Sequence, residues 1–109
     1  MLVGVPKEIK NHEYRVGLVP GSVRELIHHG HQVVVQTGAG LGSGFENRAY
    51  EAVGARIAIS AAEVFAEADM VVKVKEPLAP EIAMLRPGQV LFTYLHLAAD
   101  KAQTEGLLA

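Results

Sequence analysis

Three residues of this sequence have side chains suited to binding and protonating a small anionic substrate: Arg15, Lys75 and His96. The guanidinium of an arginine offers a planar pair of N–H donors that matches a carboxylate. A lysine ammonium is a compact positive charge, and a histidine titrates near neutral pH, which suits general acid–base catalysis. Together these residue types predict an anion-binding, proton-handling pocket.

All three residues follow predicted β-strands. Arg15 lies in a long polar loop after the first strand, Lys75 closes the run VVKVK, and His96 follows VLFTYL. In a doubly wound sheet, ligands bind beyond the carboxyl ends of the strands. Taken singly, each residue has a simpler interpretation: an exposed loop arginine, a surface Lys75–Glu76 pair, or a hydrogen-bonded core histidine. Their shared location at strand ends favours the pocket.

Lys73 and Lys75 are two positions apart in a predicted strand, so their side chains are expected on the same face of the sheet. Valines flank Lys73, and burying its ammonium would be unfavourable unless the charge is paired or the sheet is exposed there.

The glycines between Gly38 and Gly44 lie where a dinucleotide-binding turn would be found. That motif needs glycines at its first, third and sixth positions. Counted from Gly38, Gly40 or Gly42, the sixth position is Ser43, Phe45 or Asn47. The segment is therefore predicted to be a tight turn without a phosphate, and this domain is not expected to hold NAD by itself.

The histidines at 28, 29 and 31 cluster around Gly30, at the predicted end of a helix. Adjacent positions on a helix point in different directions, and no carboxylate stands at ligand spacing. A solvated helix end is the favoured interpretation, because a cation there interacts well with the helix dipole. His12, in a polar loop, is interpreted in the same way, and no metal site is predicted.

Valine-rich runs alternate with helical patterns along the chain. Strands are predicted at Leu2–Val5, Gln32–Gln36, Arg56–Ile59, Met70–Val74 and Val90–Leu95. Helices are predicted from Pro20 to Gly30, around Ala49–Val53, at Ala61–Ala66 and Pro80–Leu85, and from Asp100 onward. This alternation predicts an α/β fold: a Rossmann-like (flavodoxin-like) parallel sheet with helices on both faces.

The bulk properties narrow the function classes. A chain of 109 residues suits one domain, and a net charge of -2 gives no reason to expect nucleic acid or a membrane surface as partner. The absence of cysteine excludes disulfides and thiol nucleophiles. No signal peptide or transmembrane segment is visible, so a cytoplasmic location is expected.

The sequence resembles the N-terminal part of the alanine dehydrogenase and transhydrogenase family along essentially its whole length. The runs that carry the resemblance are GVPKEIKNHEYRVGLVP, GHQVVVQTGAGLGSGF, VVKVKEP and LFTYLHLAAD. Alanine dehydrogenases share the lysine of KEP and the histidine of LHLA, which the NAD-binding component of proton-translocating transhydrogenase usually lacks. Lys75 and His96 therefore favour the alanine dehydrogenase branch.

The resemblance implies the reaction of L-alanine, NAD+ and water to pyruvate, ammonium and NADH. It implies that Arg15 and Lys75 bind the substrate and that His96 is the catalytic acid and base. It also implies that residues 1–109 are an incomplete N-terminal substrate domain, with NAD bound by a separate domain absent from this chain. The chain alone is accordingly expected to be inactive.

Family members form homo-oligomers, commonly hexamers, and the resemblance carries that expectation. Two alternatives remain open: a transhydrogenase-type nucleotide-binding component, and a non-catalytic fragment that keeps the fold.

Overall fold

The computed structural model describes residues 1–9, 15–75 and 78–93. The strands of this part of the chain are β1 (Leu2–Val5), β2 (Gln32–Gln36), β3 (Arg56–Ala58), β4 (Met70–Val72) and β5 (Val90–Phe92). Its helices are α1 (Pro20–His28), α2 (Asn47–Ala52), α3 (Ala61–Glu67) and α4 (Ala79–Met84), with a short 3-10 turn at Leu41–Ser43. The predicted helix after Asp100 and the predicted end of β5 at Leu95 lie outside the described residues, as do His12 and His96.

The strands pair in parallel in the order β3-β2-β1-β4-β5. This arrangement confirms the predicted α/β fold with a parallel sheet. The strand order reverses between β1 and β4, because the chain builds outward from β1 first in one direction and then in the other. Ligands of doubly wound sheets bind at such a reversal, outside the carboxyl ends of the strands.

Both faces of the sheet are covered by helices. Val3, Val33 and Val35 pack with side chains of α1 and α2 on one face. Val34 and Val71 pack with side chains of α3 on the other face. Because successive side chains of a strand point to opposite faces, an unbroken run of valines suits a strand that is buried on both sides.

Glycines end the first two helices, as the sequence predicts. Gly30 follows α1 with φ of 90° and Gly54 follows α2 with φ of 99°. A residue without Cβ adopts this left-handed conformation readily, which lets the chain leave the helix and enter the next strand.

Strand β4 is shorter than predicted: it ends at Val72 rather than at Val74. The backbone N–H of Lys73 still bonds to β5. The next two N–H groups, those of Val74 and Lys75, donate instead to the carboxylate of Glu8. The carboxylate of Glu8 thus replaces the β5 carbonyls as the acceptor for these N–H groups. A local hydrophobic pattern does not reveal that replacement, because Glu8 is distant in the sequence.

Candidate active site

A cavity of about 280 Å³ opens at the carboxyl ends of β1 and β2. One wall comes from the segment after β1, and the other comes from the glycine-rich turn after β2. The lining residues are Lys7, Glu8, Arg15, Gly38, Ala39, Leu41 and Gly42. Arg15 therefore lies where the sequence predicts a ligand site, at the ends of parallel strands.

Gly17 determines how the chain runs after Arg15. A Cβ at this position would lie 2.4 Å from the carbonyl oxygen of Val72 and 3.2 Å from the backbone nitrogen of Lys73. Only a glycine allows the backbone to come this close to the end of β4. The segment that carries Arg15 therefore passes directly over the strand that leads to Lys75.

Lys73 is buried and paired, which confirms one of the two alternatives that the sequence leaves for it. Its ammonium lies 2.9 Å from Oε1 of Glu8 and 3.1 Å from Oε2 of Glu81. The three side chains are at most 2% exposed. We call this group the Lys73 network. It joins the segment after β1, the end of β4 and helix α4 in one ionic cluster.

Lys75 is tied to this site through its backbone. Its N–H donates to Oε1 of Glu8 over 3.2 Å, and its carbonyl accepts a hydrogen bond of 2.9 Å from the hydroxyl of Thr93. Thr93 follows β5, so Lys75 is connected both to β1 and to β5. Lys75 is not among the residues that line the cavity, and Glu8 is its link to the cavity wall. His96 lies outside the described residues.

The glycine-rich turn contributes to the site, although its sequence was interpreted as a plain tight turn. Four of its residues, Gly38, Ala39, Leu41 and Gly42, line the cavity beside Arg15. Its backbone N–H groups largely donate to carbonyls within the turn, to the carbonyl of Gln36 in β2 or to the side chain of Asn47. Those bonded in this way belong to Gly38, Ala39, Leu41, Ser43 and Gly44. The turn therefore shapes the cavity wall, and it does not present the row of unused N–H groups that cradles a phosphate.

Tyr50 of α2 fixes the turn to the chain beyond Arg15. It is 1% exposed, and its hydroxyl donates a 2.8 Å hydrogen bond to the carbonyl of Leu18. Its ring fills the space that a Cβ at Gly40 would occupy, with the nearest ring atom 2.7 Å from that position. Burial raises the pKa of Tyr50 to about 12.

This pKa predicts an alkaline loss of stability. A raised pKa means that the folded state holds the phenol proton more tightly, so the contribution is complete below pH 10.0 and disappears as the pH rises through about 12. Tyr50→Phe should lower the free energy of unfolding near neutral pH by about 1–2 kcal/mol, because the carbonyl of Leu18 loses its donor. It should also flatten the alkaline decline. Urea unfolding at a series of pH values checks both results, and an unchanged decline would contradict the assignment.

The histidines near the end of α1 show no ligand geometry. The rings of His28 and His29 are 5.8 Å apart between centroids and tilted, and both residues are exposed. Among the described residues, no group of three or more His, Cys, Asp or Glu side chains converges to hold a metal ion. Within the same part of the chain, no helix has the length and apolar character needed to cross a membrane.

Two residues were missed by the sequence analysis: Glu8, which lines the cavity, and Glu81, which belongs to the Lys73 network outside the cavity. The available signal was Lys73 itself: a lysine between valines needs an anion if it is buried. Glu8 stands 65 residues from Lys73 in the sequence, so its role follows only from the pairing of β1 with β4.

Comparison with known proteins identifies the family. The family described as "Alanine dehydrogenase/PNT, N-terminal domain" matches residues 4–109. The chain belongs to this family. It is 55% identical to alanine dehydrogenase of Halomonas elongata over 99% of the chain, and 59% identical to that of Bacillus subtilis over 98% of the chain.

The family's solved structures agree with the fold. A solved L-alanine dehydrogenase superposes with a TM-score of 0.96 at 52% identity, covering 99% of this chain and 30% of that protein. A transhydrogenase from Sinorhizobium meliloti superposes with a TM-score of 0.91 at 34% identity, covering 98% of this chain and 32% of that protein. The chain spans 29% of the Halomonas relative and 28% of the Bacillus relative.

Proposed function

We propose that residues 1–109 form the N-terminal substrate domain of an NAD-dependent L-alanine dehydrogenase. The whole enzyme would convert L-alanine, NAD+ and water to pyruvate, ammonium, NADH and a proton, reversibly. Identities of 55% and 59% to alanine dehydrogenases, against 34% to the transhydrogenase, support this branch of the family. The enzyme would be a cytoplasmic homo-oligomer, with a hexamer as the family expectation.

One observation carries the proposal from the side of geometry. Glu8 lines the same cavity as Arg15, and its carboxylate accepts a hydrogen bond from the backbone N–H of Lys75. The two cations that the sequence selects for substrate binding thus belong to one connected structure at the reversal of strand order. A keto acid such as pyruvate needs a cation for its carboxylate and a second one near its carbonyl, and this arrangement supplies residues for both.

Each residue has a distinct proposed role. Arg15 would hold the substrate carboxylate through two N–H donors. Lys75 would orient the substrate and polarise its carbonyl group. His96 would exchange protons with the substrate as water adds and ammonia leaves, because an imidazole gains and loses a proton near neutral pH.

The described residues do not fit a dinucleotide. The candidate among them is the turn from Gly38 to Gly44, whose glycine spacing departs from the motif and most of whose backbone N–H groups are already hydrogen-bonded. We therefore propose that NAD is bound by a domain outside this chain. The present residues would bind the substrate and handle its protons.

The test of the proposal uses the full-length protein that carries this chain. Supplied with L-alanine and NAD+, it should form NADH, and supplied with pyruvate, ammonium and NADH it should run the reaction backward. A transhydrogenase would instead exchange hydride between NADH and an NADP+ analogue without any need for an amino acid. Hydride exchange without alanine-dependent NADH formation would reject the proposal in favour of that alternative.

Arg15→Met should raise the KM for pyruvate by roughly tenfold to a hundredfold and change kcat far less, because carboxylate binding acts in ground and transition states alike. Arg15→Lys should recover only part of the loss, since an ammonium lacks the planar pair of donors. Arg24→Met is the matched control: Arg24 is an exposed arginine on α1 and should leave KM unchanged. Steady-state kinetics with pyruvate as the varied substrate make the comparison.

A further inference from the structure

We infer that Glu8 is a positioning residue for the substrate site, which sets the place of Lys75 relative to the cavity that Arg15 lines. The inference rests on the proposed function for its kinetic consequences. Its structural basis is independent of that function, because it concerns how one carboxylate joins two strand ends.

Both oxygens of Glu8 are engaged. Oε1 accepts from the ammonium of Lys73 at 2.9 Å and from the N–H of Lys75 at 3.2 Å. Oε2 accepts from the N–H of Val74 at 3.0 Å. A carboxylate is an acceptor at both oxygens and carries the charge that Lys73 requires, so it satisfies all three donors at once. A glutamine would turn an NH2 donor toward at least one of them.

These bonds fix the backbone of Lys75 from one side, and Thr93 fixes it from the other. The N–H of Lys75 is held by Glu8 and its carbonyl by the hydroxyl of Thr93. The position of a side chain depends on the position of its Cα, and a shift of about 1 Å at a site can lower a rate by about a hundredfold. A residue that holds the backbone of Lys75 therefore controls where its ammonium can reach.

Glu81 is a second buried carboxylate that pairs with Lys73 but makes no described hydrogen bond to the backbone of Lys75. It is as buried as Glu8 at the side chain, 2% exposed in each case, and it pairs with the same ammonium. Its other oxygen accepts from the N–H of Leu78 at the start of α4. Glu81 neither lines the cavity nor bonds to Lys75 in the described structure. It is therefore a natural control for the stability that a buried carboxylate supplies.

The experiment compares Glu8→Gln with Glu81→Gln in the full-length protein. Both variants should lower the melting temperature. Only Glu8→Gln should raise the KM for pyruvate, by about tenfold, with kcat/KM reduced accordingly, while Glu81→Gln keeps the wild-type KM. If Glu8→Gln does not fold, Glu8→Asp retains the charge for Lys73 but is one methylene too short to reach both N–H groups, and it should show the same rise.

A second measurement separates this inference from the proposed function. Hydrogen–deuterium exchange at the amides of Val74 and Lys75 needs no turnover, and it should accelerate in Glu8→Gln and remain slow in Glu81→Gln. A wild-type protein inactive with alanine would reject the proposed function, while this exchange contrast would still support the role of Glu8. A wild-type KM in Glu8→Gln, or equal exchange in the two variants, would overturn the inference.

Discussion

Lys73→Met is expected to lower the free energy of unfolding by about 3–5 kcal/mol, the usual effect of removing one partner of a buried ion pair. The ammonium of Lys73 lies between two carboxylates, at 2.9 Å from Glu8 and 3.1 Å from Glu81. Methionine nearly matches lysine in size, so the loss arises from the stranded negative charges rather than from a void. Because whole domains are stable by only about 5–15 kcal/mol, this single change should be visible as a large fall in melting temperature.

Two further variants identify the cause of that loss. Lys7→Met makes the same substitution at an exposed position beside the cavity, and it should change stability by less than about 0.5 kcal/mol. The triple variant Lys73→Met, Glu8→Gln, Glu81→Leu removes the stranded charges together with the cation. It should be more stable than Lys73→Met alone, because neutral side chains carry a smaller desolvation penalty than unpaired carboxylates. Equal stability of the single and triple variants would assign the loss to packing. Thermal and urea unfolding of the full-length variants provide the comparison.

The fold was largely predictable because its signals are local. Uninterrupted valine runs indicate strands covered on both faces, and Gly30 and Gly54 end helices at the predicted places with positive φ. The prediction of β4 was too long for the opposite reason. The pattern Met70–Val74 looks like a continuous strand, but the N–H groups after Lys73 are taken by Glu8, which stands far away in the sequence.

The candidate site was predictable only in part. The rule that ligands bind beyond the carboxyl ends of parallel strands predicted Arg15 and Lys75 as ligand-binding residues. Of these two, Arg15 lines the cavity at the ends of β1 and β2. The rule does not tell which side chain joins the strand ends, because that depends on the pairing of β1 with β4. It also does not predict that the glycine-rich turn forms a wall of the cavity. That turn lacks a nucleotide motif, yet four of its residues line the same cavity as Arg15.

His96→Ala should lower the kcat of the full-length protein by about a hundredfold to ten-thousandfold, the range that general acid–base catalysis usually contributes. His96 lies outside the described residues, but the strand that leads to it does not. Strand β5 pairs with β4, and Thr93 donates to the carbonyl of Lys75 three residues before His96. The last described residue before His96 is therefore hydrogen-bonded to Lys75, a proposed substrate-binding residue. The KM for pyruvate should change little, because Arg15, the proposed partner of the substrate carboxylate, is unchanged.

The pH profile and a matched histidine distinguish catalysis from structure. Loss of the imidazole should remove the limb of the kcat profile that reports a group titrating near neutrality, and added free imidazole should restore part of the rate. His28→Ala is the control: it removes an exposed histidine at the end of α1, and it should leave kcat and its pH profile intact. If His96→Ala kept near-normal turnover, or if His28→Ala lost as much, the proton transfer would have to be assigned to another group. A selective loss of kcat, rescued by imidazole, would assign general acid–base catalysis to His96.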